Sequence, residues 1–411
     1  MTTSDFTSDT AFDPLAPLPG PPDPWTYTET PSLRSGPPYH MTEMIAAEPA
    51  IAGRILARHV VAGGPAAALA DAIRTAAGRG EPIVVTGCGT SEHAALGVAE
   101  ILGEAARAAG LPGSGVVAAQ AFELALDPPS SGLVIGVSHE GGTSATNAAL
   151  AAARAARAAG ARTAILTVSS RSPGAAVVDP SLVLETGELD QSWCHTVGYI
   201  SPMLVGAAVG AHLSGRSLDI EGVVELLAAG TRDEAGADRI AGHLADVRHL
   251  LVVASGADRT AGRELVLKVE EASWLPSAFR DLETFLHGHL PATDPETGLV
   301  LLLTDREGRA ERLVRTRQAL AAARAIGIRA AAIIAQELDA ALDPSLTPTG
   351  RLLVPDAAGL PSPVASLFGS ATPLQSLTER LARARGTNPD PIRRDDPAYL
   401  AAADASDAAT G

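Results

Sequence analysis

Lysine is almost absent from this chain: Lys268 is the only one, and the other 30 of its 31 basic residues are arginines. Cysteine is nearly as scarce. Cys88 and Cys194 are the only two in 411 residues, too few for a disulfide framework. No uninterrupted apolar run reaches the roughly 18 residues of a membrane span, and mean hydropathy is only +0.15. The opening stretch, MTTSDFTSDTAFDP, has neither the basic start nor the apolar core of a secretory signal. These absences lead us to expect a cytoplasmic location and no membrane contact. Positive charge is also in deficit. The formal net charge is −16 and the pI near 5.0. Nucleic acid is not an expected partner, because binding it requires basic surface that displaces counterions from phosphate.

What is present points to a large globular protein. Hydrophobic residues make up 46% and charged ones 19%, ample for the two or three domains that this length suits. Residues 1–38, with PLAPLPGPPDP and SGPP and no period of 2 or 3.6, read as a disordered Pro-rich tail. Within it, Trp25 and Tyr27 are the side chains able to pin it to the body. From His40 onward, MTEMIAAEPAIAGRILARHV has helical spacing, broken at Pro49. Short apolar runs bounded by Gly or Ser then alternate with Ala-rich helical stretches: IVVTG at 83–87, LVIGVS at 133–138, AILTVS at 164–169 and LVLET at 182–186. That alternation predicts an α/β fold with a parallel sheet covered on both faces.

The second half repeats the first. The segment starting at 251 parallels that starting at 83, an offset of 168, and 299 parallels 133, an offset of 166. RLLVPD (351–356) then parallels SLVLET (181–186). Three matches in one order suggest an internal duplication, with similar domains over 39–225 and 226–390 and a polar tail over 391–411.

Two strand–turn–helix segments stand out. In IVVTGCGTSEHAALG, Gly87 and Gly89 turn the chain sharply out of a strand, and Thr90 and Ser91 open a helix. In GVSHEGGTSATN, Ser138 ends a strand, Gly141 and Gly142 free the backbone, and Thr143 and Ser144 begin the next helix. A helix N-terminus with free N–H groups and hydroxyls is an anion site, although a Gly turn with a Thr or Ser cap reads the same way. Parallel strands bring both turns to one sheet edge, where ligands of α/β proteins bind. The duplicate turns, SGADRT and DREGRA, are poorer in Gly and hydroxyls, so the small-molecule site is expected mainly in the first domain.

GCGTSEHAA, VSHEGGTSAT and the downstream LKVEEAS…FLHG resemble the SIS (sugar isomerase) family, in its tandem two-domain branch. That branch includes the isomerase half of glucosamine-6-phosphate synthase and the fructosamine-6-phosphate deglycases. The likeness covers roughly residues 40–390 and implies two tandem SIS domains, each a flavodoxin-like three-layer sandwich. It implies a sugar or sugar phosphate as ligand, held by Gly89, Thr90, Ser91, Ser138, His139 and Thr143. It also implies Glu271 as acid/base and His287, 16 residues on, as the ring-opening group contributed by the neighbouring subunit of a homodimer. The residue types suit the chemistry. A 1,2-proton transfer needs a carboxylate that takes and returns a proton, and ring opening suits a group that titrates near neutrality. No metal or organic cofactor is required.

Lys268 lies one turn before Glu271 and joins the candidate catalytic set, either as an electrostatic aid or as an imine former. Cys194, in DQSWCHTVGY (190–199), is expected to line the pocket. Glu140 departs from the family, whose motif usually has a serine there. A carboxylate about 4 Å from a phosphate oxygen is opposed by several kcal/mol at an effective dielectric near 20, unless a protonated His139 offsets it. Otherwise Glu140 turns away or meets an amine or hydroxyl. The C-terminal segment carries no lysine, and neither a glutaminase domain nor an N-terminal cysteine nucleophile is present. Glutamine-dependent amination is therefore not expected, and a deglycase-like activity fits better. The expected function is 1,2-proton transfer on an amino- or ketosugar: isomerisation, deamination or deglycation. A non-catalytic sugar-phosphate sensor is the alternative.

Overall fold

The computed structural model describes residues 11–27, 33–111, 115–156 and 161–408; the remainder of the expected tails, 1–10, 28–32 and 409–411, lies outside them. The first sheet contains β1 (Ile83–Gly87), β2 (Val116–Gln120), β3 (Leu133–Val137), β4 (Arg162–Thr167) and β5 (Val183–Glu185). The second contains β6 (His249–Ala254), β7 (Ser277–Asp281), β8 (Thr297–Leu303), β9 (Arg329–Ala335) and β10 (Gly350–Val354). All pairings are parallel, and the orders are β2-β1-β3-β4-β5 and β10-β9-β8-β6-β7. Read from opposite ends, both are the flavodoxin-like order 2-1-3-4-5.

The helices are α1 (His40–His59), α2 (Pro65–Gly78), α3 (Thr90–Ala108), α4 (Ala121–Leu126), α5 (Ser144–Ala155), α6 (Val197–Ser214), α7 (Ile220–Gly230), α8 (Glu234–Leu244), α9 (Asp258–Ser273), α10 (Leu282–Thr284), α11 (Arg309–Ile326), α12 (Ser362–Arg385) and α13 (Pro397–Ala408). Successive side chains of a strand face opposite ways, so each sheet feeds two layers. Val85 and Ile135 of the first sheet and Val252 and Val300 of the second share one continuous core with Met203 of α6, Leu265 of α9 and Phe368 of α12. The alternate residues look outward: Val84 and Val134 onto Leu150 of α5, and Leu251 and Leu299 toward Leu320 of α11. Each such buried aliphatic side chain contributes about 1.5–3 kcal/mol. The expected boundary at 225/226 falls inside α7, which packs on both α1 and α12 and belongs to the shared layer.

Among the described residues, α6 alone is long and apolar enough to cross a membrane, and 83% of it is buried inside the protein. It is the central core helix, packed on α1 and α3. The described parts of the N-terminal segment are anchored to the body, unlike the disordered tail expected from composition. The Leu18 side chain is buried and its N–H donates to Glu188, which Arg54 also holds; the Pro19 carbonyl accepts from Leu189 N–H. The C-terminal segment is tied down too: the Asp390 carboxylate accepts the N–H groups of His40 and Met41 at the start of α1. Both segments take their order from partners distant in sequence, to which local periodicity is blind.

Candidate active site

The turns after β1 and β3 lie side by side at the C-terminal edge of the first sheet, because β1 pairs directly with β3. Gly87 and Gly141 are obligatory there. A Cβ on Gly87 would lie 2.5 Å from the Ser91 carbonyl oxygen, and Gly141 sits at φ +69° with its missing Cβ aimed at the Ser172 hydroxyl. The turns open into a cavity of about 630 Å³ lined by Gly89, Thr90, Ser91, His139, Glu140 and Thr143. Glu271, from the last turn of α9, faces the same cavity. So do Trp193 and His195 of the 190–199 loop, Tyr27 of the N-terminal segment, and Ile392 and Arg394 of the C-terminal one.

Glu271 stands on a buried charge array. Glu264, Lys268 and Glu271 are spaced i, i+4, i+7 on α9 and so share one face. Lys268 is completely buried; its Nζ lies 2.5 Å from Glu271 Oε2 and 3.7 Å from Glu264 Oε1. Glu264 in turn meets His93 Nδ1 of α3 at 2.7 Å. Burial alone would lower the Lys268 pKa, but the charges of Glu271 and Glu264 outweigh it and hold the ammonium above its ordinary value. Burial raises the Glu271 pKa, Lys268 opposes it, and the net position is above an ordinary carboxylate. A fully buried, protonated Nζ is closed to a substrate carbonyl. Of the two roles expected of Lys268, this burial and ion pairing favour the electrostatic one over imine formation.

The other expected residues fall in different places. Ser138 is buried beneath the turn, donating to Thr143 Oγ1 at 3.3 Å. Cys194 is buried beside Met41, Ile45 and Ala272, its Sγ 3.9 Å from the Lys268 carbonyl oxygen, rather than lining the cavity; burial pushes its thiol well above the ordinary pKa, which disfavours the thiolate that a nucleophile needs. Its neighbours Trp193 and His195 point the other way, into the cavity. Asp190 shapes this loop: its carboxylate accepts the N–H groups of Thr196 and Gly198 at 2.7 and 3.0 Å. His139 Nε2 accepts the Asp190 N–H at 3.0 Å. A backbone amide only donates, so the proton of the neutral imidazole is on Nδ1. Burial, reinforced by His195, lowers the His139 pKa to about 3, and burial with Lys268 and Arg394 does the same for His195. His139 is thus not the cation that would offset Glu140. His287 lies outside the cavity of its own chain, largely exposed, with Nε2 at 2.8 Å from Glu283.

The corresponding turns of the second sheet are filled by the chain itself. The Asp258 carboxylate accepts the N–H groups of Thr304 and Asp305 and the hydroxyls of Thr304 and Ser366. Asp305 accepts the N–H groups of Ala257 and Glu307 and the Ser362 hydroxyl. Each turn donates to the carboxylate of the other.

Three solved structures resemble this fold. The C-terminal domain of glucosamine-fructose-6-phosphate aminotransferase from Francisella tularensis matches with a TM-score of 0.71 at 16% identity, over 87% of this chain and 99% of that one. Tagatose-6-phosphate ketose/aldose isomerase from Escherichia coli matches at 0.68 and 19%, over 89% and 98%. This chain has the tandem SIS fold. A third structure, glucosamine-6-phosphate deaminase from Thermotoga maritima, matches at 0.55 and 18%, over 75% and 88%. No family model and no curated protein matches the sequence.

Within the SIS frame, sequence reasoning missed Glu264, Ile392 and Arg394, and it took Tyr27 as an anchor of the N-terminal segment without placing it at the cavity. Glu264 was within reach, since E-x-x-x-K-x-x-E puts all three charges on one helical face. Ile392 and Arg394 carry no local signal, because they come from the C-terminal segment.

Proposed function

We propose that this protein is a sugar-phosphate isomerase-type enzyme of the SIS class, moving a proton between C1 and C2 of an open-chain sugar. The observation that carries the reading is Glu271: a carboxyl of raised pKa, set over a buried ammonium and facing the cavity that the Gly/Ser/Thr turns open into. Burial makes it a better proton acceptor than a surface carboxylate, while the Lys268 ammonium opposes that rise and favours the ionised form. The Thr90, Ser91 and Thr143 turns would hold the sugar, with the neutral His139 N–H as a further donor. A sensor needs a pocket but has no use for a raised carboxyl on a buried cation, which favours catalysis. In this reading the enzyme acts on an amino- or ketosugar, by isomerisation or with loss of an amine as in deamination or deglycation. It works as a homodimer in which His287 of each chain serves the neighbouring site. Glu271→Gln is the test. Turnover is expected to fall at least about 100-fold with ligand binding retained, and unchanged turnover refutes the assignment.

A further inference from the structure

The C-terminal wall of the cavity is held in a conformation that side chains rarely adopt. Ile392 (φ 43°) and Arg393 (φ 62°) are consecutive non-glycine residues in the left-handed region. Such backbone persists only where its surroundings over-determine it, and it concentrates at ligand clamps. The restraints here are identifiable. The Arg393 guanidinium lies between two rings, 4.2 Å from the Trp274 centroid and 4.1 Å from that of Tyr399. The Pro391 carbonyl accepts Arg394 N–H, and the Arg393 carbonyl accepts Asp396 N–H.

The turn delivers Arg394 to the cavity. Its guanidinium lies 4.7 Å over the ring of Trp193, which also lines the cavity. Among the described residues that line the cavity it is the sole cationic side chain, beside the acidic Glu140 and Glu271. Among the described residues its five N–H donors meet no hydrogen-bond acceptor and no carboxylate; the guanidinium stacks on Trp193 and its charge is felt by His195. A planar fork of donors, oriented by an aromatic face and otherwise unused, is the arrangement that recognises an oxyanion in bidentate fashion.

We propose that Arg394 binds an oxyanion of the substrate, phosphate or carboxylate, and that residues 391–396 are shaped to present it. This rests on the cavity being a sugar site, as proposed above. It assigns the anion to the C-terminal wall rather than to the Ser/Thr turns alone, where Glu140 stands.

The test is calorimetric titration of wild type, Arg394→Ala and Arg394→Lys with fructose 6-phosphate, gluconate, inorganic phosphate and fructose. Tryptophan fluorescence, read in a Trp25→Phe background that keeps Trp274 as a support of Arg393, gives a second signal. Arg394 is exposed, so its removal is expected to leave the melting temperature in place. The proposal predicts that at least one oxyanion ligand binds wild type and loses about tenfold or more in affinity in Arg394→Ala. Arg394→Lys is expected to recover part of this, and fructose to be indifferent to both changes. Fructose 6-phosphate as the sensitive ligand identifies a phosphate, and gluconate a carboxylate. An oxyanion ligand held equally by wild type and Arg394→Ala overturns this inference and leaves the catalytic role of Glu271 standing. Binding of fructose without any oxyanion preference also overturns it. Binding of none of the four overturns both this inference and the sugar-site reading.

Discussion

The histidine pair gives the protein a built-in sensitivity to acid. His139 and His195 are each depressed to about 3, burial being the main cause, whereas the unfolded chain titrates its histidines near 6.5. Between those values the unfolded state binds the extra proton and the folded state refuses it. Stability therefore falls as pH drops below about 6.5 and is regained as pH rises. At pH 5.0, about 1.5 units below the unfolded value, each histidine has cost about 2 kcal/mol, from roughly 1.36 kcal/mol per unit. His139→Gln removes one of the two while its Oε1 takes over the acceptor role toward Asp190 N–H. Urea unfolding followed by circular dichroism at pH 7.5 and 5.0 measures the outcome. Wild type is expected to lose about 2 kcal/mol more than His139→Gln across that interval. Parallel losses in the two proteins would refute the assignment of a neutral, proton-excluding His139.

The charge array makes a separate prediction. Lys268→Met leaves Glu264 and Glu271 buried without their cation, which is expected to destabilise by about 3 kcal/mol or more. It should also move the acidic limb of the pH–rate profile upward, because Glu271 loses the charge that opposes its raised pKa; a limb that stays put would show that Glu271 does not govern it. Mixing Glu271→Gln and His287→Ala subunits should restore activity above either variant alone if each site borrows the neighbour's histidine, and no recovery counts against a shared site. Gly141→Ala places a Cβ at a positive φ against Ser172 and is expected to lower stability by about 1–3 kcal/mol, read from thermal melting; an unchanged melt would show that the turn relaxes freely.

How much of this was legible beforehand follows from where each residue takes its instructions. IVVTG coincides with β1, because a strand buried on both faces is apolar nearly throughout; its one polar side chain, Thr86, donates to the Ala119 carbonyl. The edge strands β2 and β7 are only half-buried, and VVAAQ and SAFRD lack a comparable run. The paired Gly/Ser/Thr turns and the Lys268–Glu271 spacing were readable because turn chemistry and helical period are local. Cys194 was misread because adjacency in sequence does not set side-chain direction: in the loop drawn around Asp190, its two neighbours face the cavity while it faces the core. Arg394 was invisible for a deeper reason. RGTNPDPIRRDD has the composition of a solvated tail, and only docking of Arg393 on Trp274 and of Asp390 on α1 turns it into a wall.

The two turns of the second sheet, each feeding the carboxylate of the other, bear on stoichiometry and motion. That lobe carries its anions covalently, as Asp258 and Asp305, so no solute has to arrive to satisfy its amides. A titration should therefore saturate at one small molecule per chain despite two sheets of the same order. Any tightening around a ligand is then expected in the first lobe and in the terminal segments, whose Tyr27, Ile392 and Arg394 line the cavity, rather than in this self-satisfied one.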